Sequence, residues 1–211
     1  MDVLVVGSGN MESVELLRQT AALAELLICV DGGARYFQKA DITPHVLLGD
    51  FDSIEQDTLR AYETEGVEVV RFSPRKDYTD MELALNYAVE HGATRIFIMG
   101  ATGSRVDHSI SNVQLLHKLL DADVRGIILD DKNRIYLIKD KITIGRMEGY
   151  KLSLVPATPV VEGIVTEGLV WPLFNYTMKM GAGIGISNEF SEDKATVRIG
   201  SGRMYVILSK D

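Results

Sequence analysis

The sequence predicts an α/β fold in its first part and an antiparallel β fold in the rest, on three observations. From Val3 to about Asp130, short apolar runs of strand length alternate with helical stretches, the pattern of a mostly parallel sheet with flanking helices. After Asp130 the helical pattern stops, and short alternating segments separated by Gly, Pro and Asn take over, as in an antiparallel sandwich or barrel. No Gly/Ser-rich linker, repeat or low-complexity tract lies between the two parts, so the division falls at Lys132 and gives domains 1–131 and 132–211.

The strands expected in the first domain are Val3–Val6, Leu26–Val30, His45–Leu48, Val67–Arg71, Arg95–Met99 and Arg125–Leu129. Between them lie helices. The clearest opens at Thr79, which can cap the first turn while Glu82 reaches back, and ends at Gly92 after His91. A second is expected to start with Asp107 as a carboxylate N-cap and to bury Ile110, Val113, Leu116 and Leu120 on one face. In the second domain, Ile135, Leu137, Ile142, Ile144, Leu152, Leu154, Val197, Ile199, Val206 and Leu208 alternate in short segments with no helical spacing.

Composition narrows the function classes. The 211 residues are 46% hydrophobic and 25% charged, with a formal net charge of -8 and an isoelectric point of about 5.1. No cluster of Lys and Arg offsets that charge, which argues against nucleic acid as a partner. An acidic protein that handles a phosphate substrate must supply local positive charge, from placed Arg and Lys residues or a bound divalent cation. Cys29, the single cysteine, sits inside the apolar run Leu26–Val30, which rules out an intrachain disulfide and a thiolate metal cluster. Asp2 followed by Val3–Val6 reads as the first strand rather than a signal peptide or membrane span. The expected location is cytoplasmic, without a membrane.

The chemistry-bearing residues follow the strands. Gly7-Ser8-Gly9-Asn10 forms a glycine turn after the first strand, but Glu12 stands where a dinucleotide fingerprint needs glycine, and no Walker A sequence is present. A dehydrogenase and a P-loop kinase are disfavoured. Asp50 and Asp52 flank Phe51 at the carboxyl end of the third strand, where open sheets bind ligands. In extended chain they project to one face about 6–7 Å apart, so they can share Mg2+ or its waters while Phe51 points inward. The competing reading is a solvated turn in which Ser53 caps the next helix. Asp77 and Asp80 come to the same sheet edge after the fourth strand, and such an acidic gathering makes sense around a cation. Gly100 to His108 delivers Arg105, Asp107 and His108 on a glycine-rich loop that includes Gly103. Arg105 suits a bidentate phosphate grip, and His108 suits either a local hydrogen bond or proton transfer. Asp31-Gly32-Gly33-Ala34-Arg35 adds another acid and a glycine pair. In the second domain Trp171, near Ser187 and Asn188 in the pattern, is either a core residue or a platform for a flat cationic heteroaromatic ligand.

Taken in order, Asp31-Gly32-Gly33-Ala34, Gly49-Asp50-Phe51-Asp52-Ser53, Lys76-Asp77-Tyr78-Thr79-Asp80, Gly100 to His108, Trp171-Pro172-Leu173 and Ser187-Asn188-Glu189 resemble the thiamine pyrophosphokinase family over nearly the whole chain. The one departure from that pattern is Ser104, where glycine is expected before the arginine. The resemblance implies a Rossmann-like ATP- and Mg2+-binding domain, a thiamine-binding β-sandwich, and a homodimer with thiamine at the subunit interface. It also implies transfer of the diphosphoryl group of Mg-ATP to the thiamine hydroxyl, giving thiamine diphosphate and AMP. Asp50, Asp52 and Asp80 would hold the metal and, with Arg105 and Asp107, form the catalytic set. Asp31, Gly32, Gly33, Asp77, Gly100, Gly103, Arg105 and His108 would serve the nucleotide, and Trp171, Ser187 and Asn188 the thiamine. A Mg2+-dependent nucleotide phosphohydrolase and a non-catalytic nucleotide- or thiamine-binding module are the alternatives. Thiamine-dependent release of AMP separates them.

Overall fold

A computed structural model describes residues 1–51, 54, 56–73 and 77–211. The chain divides into two compact units, Met1–Asp131 and Lys132–Asp211. The first begins β1 (Asp2–Val6), α1 (Val14–Ala21), β2 (Leu26–Val30), α2 (Ala34–Ala40), β3 (Val46–Gly49), α3 (Gln56–Thr64) and β4 (Glu68–Arg71), and continues α4 (Asp80–Glu90), β5 (Arg95–Met99), α5 (Val106–Asp121) and β6 (Arg125–Leu129). Its strands lie in the order β4-β3-β2-β1-β5-β6, and every pair is parallel. Residues Val3 to Val6 are fully buried, which is why the inner strands read as unbroken apolar runs: helices cover both faces. Among the described residues β4 pairs only with β3 and is the least buried strand of this unit, as an edge position allows.

This strand order sets the site. The chain runs outward from β1 through β2 and β3 to β4, then returns to β5 on the other side of β1. The loops after β1 and β5 therefore diverge at the point where winding direction reverses, and a crevice opens there beyond the carboxyl ends of the strands.

Two helix details differ from expectation. Thr79 caps α4 by accepting from the Glu82 N–H at 3.2 Å, but the Glu82 carboxylate turns to Lys118 Nζ at 2.6 Å and joins α4 to α5 instead of closing a reciprocal box. α5 is capped two residues earlier than expected, with Arg105 as N-cap and no side-chain cap bond. Asp107 thus lies inside the first turn rather than at the cap. Leu115, Leu116 and Leu119 form its buried face, whereas Ile110 is 55% exposed. Residues of the first turns of α5, His108, Ser109 and Asn112, line the cavity described below, and its buried residues begin at Leu115.

The second unit contains β7 (Asn133–Ile138), β8 (Lys141–Gly145), β9 (Lys151–Pro156), β10 (Val160–Glu167), β11 (Tyr176–Lys179), β12 (Lys194–Arg198) and β13 (Met204–Ser209). β13 lies between β7 and β9 in antiparallel pairing. The other strands form an antiparallel sheet in the order β11-β10-β12-β8. Leu152, Leu154, Val161, Ile164, Met178, Val197 and Val206 from both sheets share one buried core, so the antiparallel part is a sandwich. Each such side chain contributes roughly 1.5–3 kcal/mol by leaving water.

Candidate functional site

In the first unit the ends of β1, β2, β3 and β5 and the starts of α4 and α5 enclose a cavity of about 510 Å³. Asp31, Asp50, Asp80, Gly100, Gly103, Arg105 and His108 all line it. These are the residues that sequence pattern placed on separate loops, brought to one crevice. Asp52 lies outside the described residues. Asp77 is exposed and is not part of the lining. Gly32 and Gly33 form, with Asp31, a single 3-10 turn that leads into α2.

The acids crowd one another. Burial, followed by the charges of Asp80 and Asp50, pushes the Asp31 carboxyl up to about 7, against a backbone hydrogen bond from Phe51 that pulls the other way. Asp31 also shares a side-chain hydrogen bond with Asp80. The Phe51 N–H reaches Asp31 Oδ1 at 3.3 Å, and Phe51 is buried as expected, but β3 ends at Gly49 and Phe51 takes a left-handed φ of 63°, so the chain after Asp50 is not the extended one expected. Hard carboxylate oxygens in a crowded, acidic crevice match the ligand chemistry of Mg2+. Among the described residues no group of three or more His, Cys, Asp or Glu is arranged to hold a metal unaided.

Arg105 lines the same cavity. Its guanidinium pairs with Asp107 through Nη2 at 2.6 Å and Nε at 3.3 Å. Hydrogen bonding from Arg105 holds the Asp107 carboxyl below its usual range, with the His108 N–H adding to the effect. Both side chains remain exposed, at 69% and 65%, so the pair orients the guanidinium at the rim without burying charge. Asp107 itself is not part of the cavity lining. Ser104 lines the cavity and is absent from the left-handed residues, so its backbone does not require the glycine expected there.

The two glycine loops are stitched to each other. Gly7 N–H donates to Met99 O at 2.9 Å, Gly9 N–H to Gly100 O at 2.7 Å and Asn10 N–H to Thr102 O at 2.7 Å. A Cβ at Gly9 would sit 2.3 Å from Thr102 O, so the glycine lets two backbones touch. These amides are therefore occupied within the protein, and Gly103 N–H is likewise held by Ser109 Oγ at 3.1 Å. Among the described residues lining the cavity, Arg105 is the one Arg or Lys side chain.

Several positioning residues escaped the sequence pattern. Asn112 Nδ2 donates to Ala101 O at 2.7 Å, and Ser109 Oγ meets Gly103 and Arg105 backbone atoms, so α5 shapes the loop it follows. A polar residue three positions before Leu115, on the core face of α5, was the available signal. Arg35 and Tyr36 hold the first glycine loop from α2.

In the second unit, Trp171 is 59% exposed, which overturns its reading as a core residue. Asn188 explains how the ring is presented. Its Nδ2 donates to Trp171 O at 2.7 Å, and its Oδ1 accepts from Trp171 N at 3.1 Å and Glu189 N at 2.9 Å. The buried Asn188 side chain thus pins the Trp171 backbone. Ser187 is exposed, adopts a left-handed φ of 57°, and donates its N–H to Ser153 Oγ at 2.9 Å. Val170, Phe174, Tyr176, Ile184 and Ile186 are also exposed in this unit. Among the described residues no helix is long and apolar enough to cross a membrane.

Comparison with known proteins covers both units. A family model described as the catalytic domain of thiamin pyrophosphokinase matches residues 17–128, and one described as its vitamin B1 binding domain matches residues 137–204. The thiamine pyrophosphokinase of Bacillus subtilis is 31% identical over 88% of each chain. Thiamine pyrophosphokinase 1 of Arabidopsis thaliana is 31% identical over 89% of this chain and 79% of its own. The crystal structure of the Bacillus subtilis protein superposes over 100% of both chains with a TM-score of 0.90 and 29% identity. That of the Geobacillus thermodenitrificans thiamin pyrophosphokinase covers 100% of this chain and 98% of its own, with a TM-score of 0.86 and 30% identity.

Proposed function

The chain belongs to the thiamine pyrophosphokinase family, and from that premise we propose that its first unit binds Mg-ATP in the crevice and donates the diphosphoryl group to the hydroxyl of thiamine, releasing AMP. The observation that carries this reading is the meeting of Asp31, Asp50 and Asp80 with Arg105 in one cavity at the reversal point of the sheet.

The reaction forms a bond from the thiamine hydroxyl oxygen to the β-phosphorus of ATP and breaks the bond between that phosphorus and the oxygen left on AMP. Little covalent work falls to the protein; alignment and charge stabilisation carry the rate. Arg105, aimed by Asp107, neutralises charge on the transferring oxygens. Asp50 and Asp80, with Asp52, would hold Mg2+, and the Asp31 carboxyl, raised first by burial and then by the charges of Asp80 and Asp50, stands where a cation would offset both costs. When bound, Mg2+ supplies Lewis-acid neutralisation of the phosphates. His108 and the Gly100–Gly103 loop bound the nucleotide, whereas Asp77 lies off the cavity and is the weakest member of the set.

Thiamine is assigned to the exposed Trp171 face of the second unit, where an aromatic ring suits a cationic heterocycle. Ser187 offers a hydroxyl, and Asn188 contributes by holding Trp171 in place. We further propose a homodimer with the thiamine site at the subunit interface, and a cytoplasmic location. The deciding experiment is mass-resolved product analysis after mixing the protein with Mg-ATP and thiamine. Thiamine diphosphate and AMP in equal amounts are expected, lost with EDTA and restored by Mg2+. Inorganic phosphate released independently of thiamine would instead identify a phosphohydrolase.

A further inference from the structure

We infer that Arg35, backed by Tyr36, is a positioning residue for the nucleotide: it locks the Gly7–Asn10 loop in place and masks that loop's carbonyl oxygens from the bound phosphates. Both residues lie in the first turn of α2, outside the cavity lining. Arg35 Nη2 donates to Ser8 O at 2.6 Å and sits 3.5 Å from Gly9 O. It also donates to the Tyr36 hydroxyl at 2.9 Å, which in turn donates to Gly9 O at 2.5 Å. Tyr36 is buried and Arg35 is exposed, so a fixed phenol backs a charged clamp.

Ser8, Gly9 and Asn10 line the cavity. On one side the loop is stitched to the Gly100–Thr102 backbone. That stitching uses the loop's N–H groups, and its carbonyls at Ser8 and Gly9 are the negative ends of peptide dipoles beside a pocket read as holding a polyanion. A guanidinium on those oxygens offsets their charge and fixes their direction, because charge-assisted bonds are the strong ones. The loop is therefore held from both flanks, and α2 supplies the flank that carries positive charge.

The inference rests on the nucleotide reading of the crevice. Two variants test it: Arg35→Met keeps the aliphatic stem, and Tyr36→Phe keeps the ring. Steady-state assays of thiamine diphosphate formation are paired with calorimetric titration of Mg-ATP in the absence of thiamine. Arg35→Met is expected to raise KM and Kd for Mg-ATP about tenfold, and Tyr36→Phe about threefold. kcat and the KM for thiamine are expected to stay within about twofold. Unchanged Mg-ATP affinity in both variants overturns the inference. So does a parallel loss of affinity for both substrates with a lowered melting temperature, which marks a structural role only. If Arg35→Met does not fold, the Tyr36→Phe titration decides alone by the same criteria. A wild-type protein that binds Mg-ATP but forms no thiamine diphosphate defeats the functional reading separately, and the titrations still report on Arg35.

Discussion

At Gly49 the chain leaves β3 with no side chain because the carboxylate of Asp31 occupies the space: a Cβ there would lie 1.7 Å from Asp31 Oδ1. Asp31 is itself in the left-handed region at φ 42°, a conformation that costs a non-glycine residue of order 1 kcal/mol and persists where surrounding contacts hold it. The contact here is the Phe51 N–H, which ties the end of β2 to the loop bearing Asp50. With its carboxyl pushed up to about 7 from the usual 3.8, folded Asp31 keeps a proton that the unfolded chain has already lost. Folding then takes up a proton across that window, so stability falls as pH rises from near 4 through 7 and levels off above it. Asp31→Asn preserves the acceptor for Phe51 and removes the charge. In EDTA the variant should melt above wild type at pH 8 and by far less at pH 4, and Mg2+ should raise the wild-type melting temperature more than the variant's. Equal melting temperatures at both pH values would remove the crowding argument. The sequence showed that Asp31 follows a strand, but the crowding depends on how β2, β3 and α4 converge, and no local pattern encodes that.

Among the elements, the parallel strands were legible almost to the residue because the inner ones are apolar runs buried on both faces and bounded by turn residues, and the edge strand β4 still carries the β-branched pair Val69-Val70. The start of α5 was not. Asp107 in the first turn suggested a cap, yet its carboxylate pairs with Arg105, and the helix begins without a side-chain cap. Its exposed Ile110 misled the assignment of the buried face for a related reason: periodicity reports an apolar stripe but not where along the helix the sheet ends. The loop stitching was equally invisible, since hydrogen bonds between the Gly7 and Gly100 loops join segments far apart in the chain. Asn112 links the two levels by tying α5 to Ala101 at 2.7 Å. Asn112→Ala is expected to lower unfolding stability by about 1 kcal/mol, read from urea denaturation, and to raise the KM for ATP. Asn112→Asp, which loses the donor and adds negative charge to the cavity, should weaken Mg-ATP binding further than alanine does. A stability loss with unchanged nucleotide affinity in both variants would confine Asn112 to a structural role.

For the whole molecule, the proposed chemistry is divided between units. The acids and Arg105 belong to Met1–Asp131, whereas Trp171 belongs to Lys132–Asp211, and transfer requires the reacting atoms to approach within about 3–3.5 Å. The two surfaces must therefore meet, either within one chain or across a dimer. Two lesions distinguish these cases. Asp80→Asn removes a carboxylate from the cavity and should lower turnover at least about hundredfold. Trp171→Arg replaces an aromatic face with a charge that repels the thiamine cation, so activity at low thiamine should collapse. If each site draws its acids from one subunit and its tryptophan from the other, a reassorted equimolar mixture contains half heterodimers. Each heterodimer carries one doubly damaged site and one intact site. Mixed dimers should then recover about a quarter of wild-type activity, measured as thiamine diphosphate formed after co-expression or unfolding and refolding together. A mixture no more active than its two components would place both surfaces of each site on a single chain and reject the shared-site dimer, while leaving the assignments of Asp80 and Trp171 to be judged by their own single-variant kinetics.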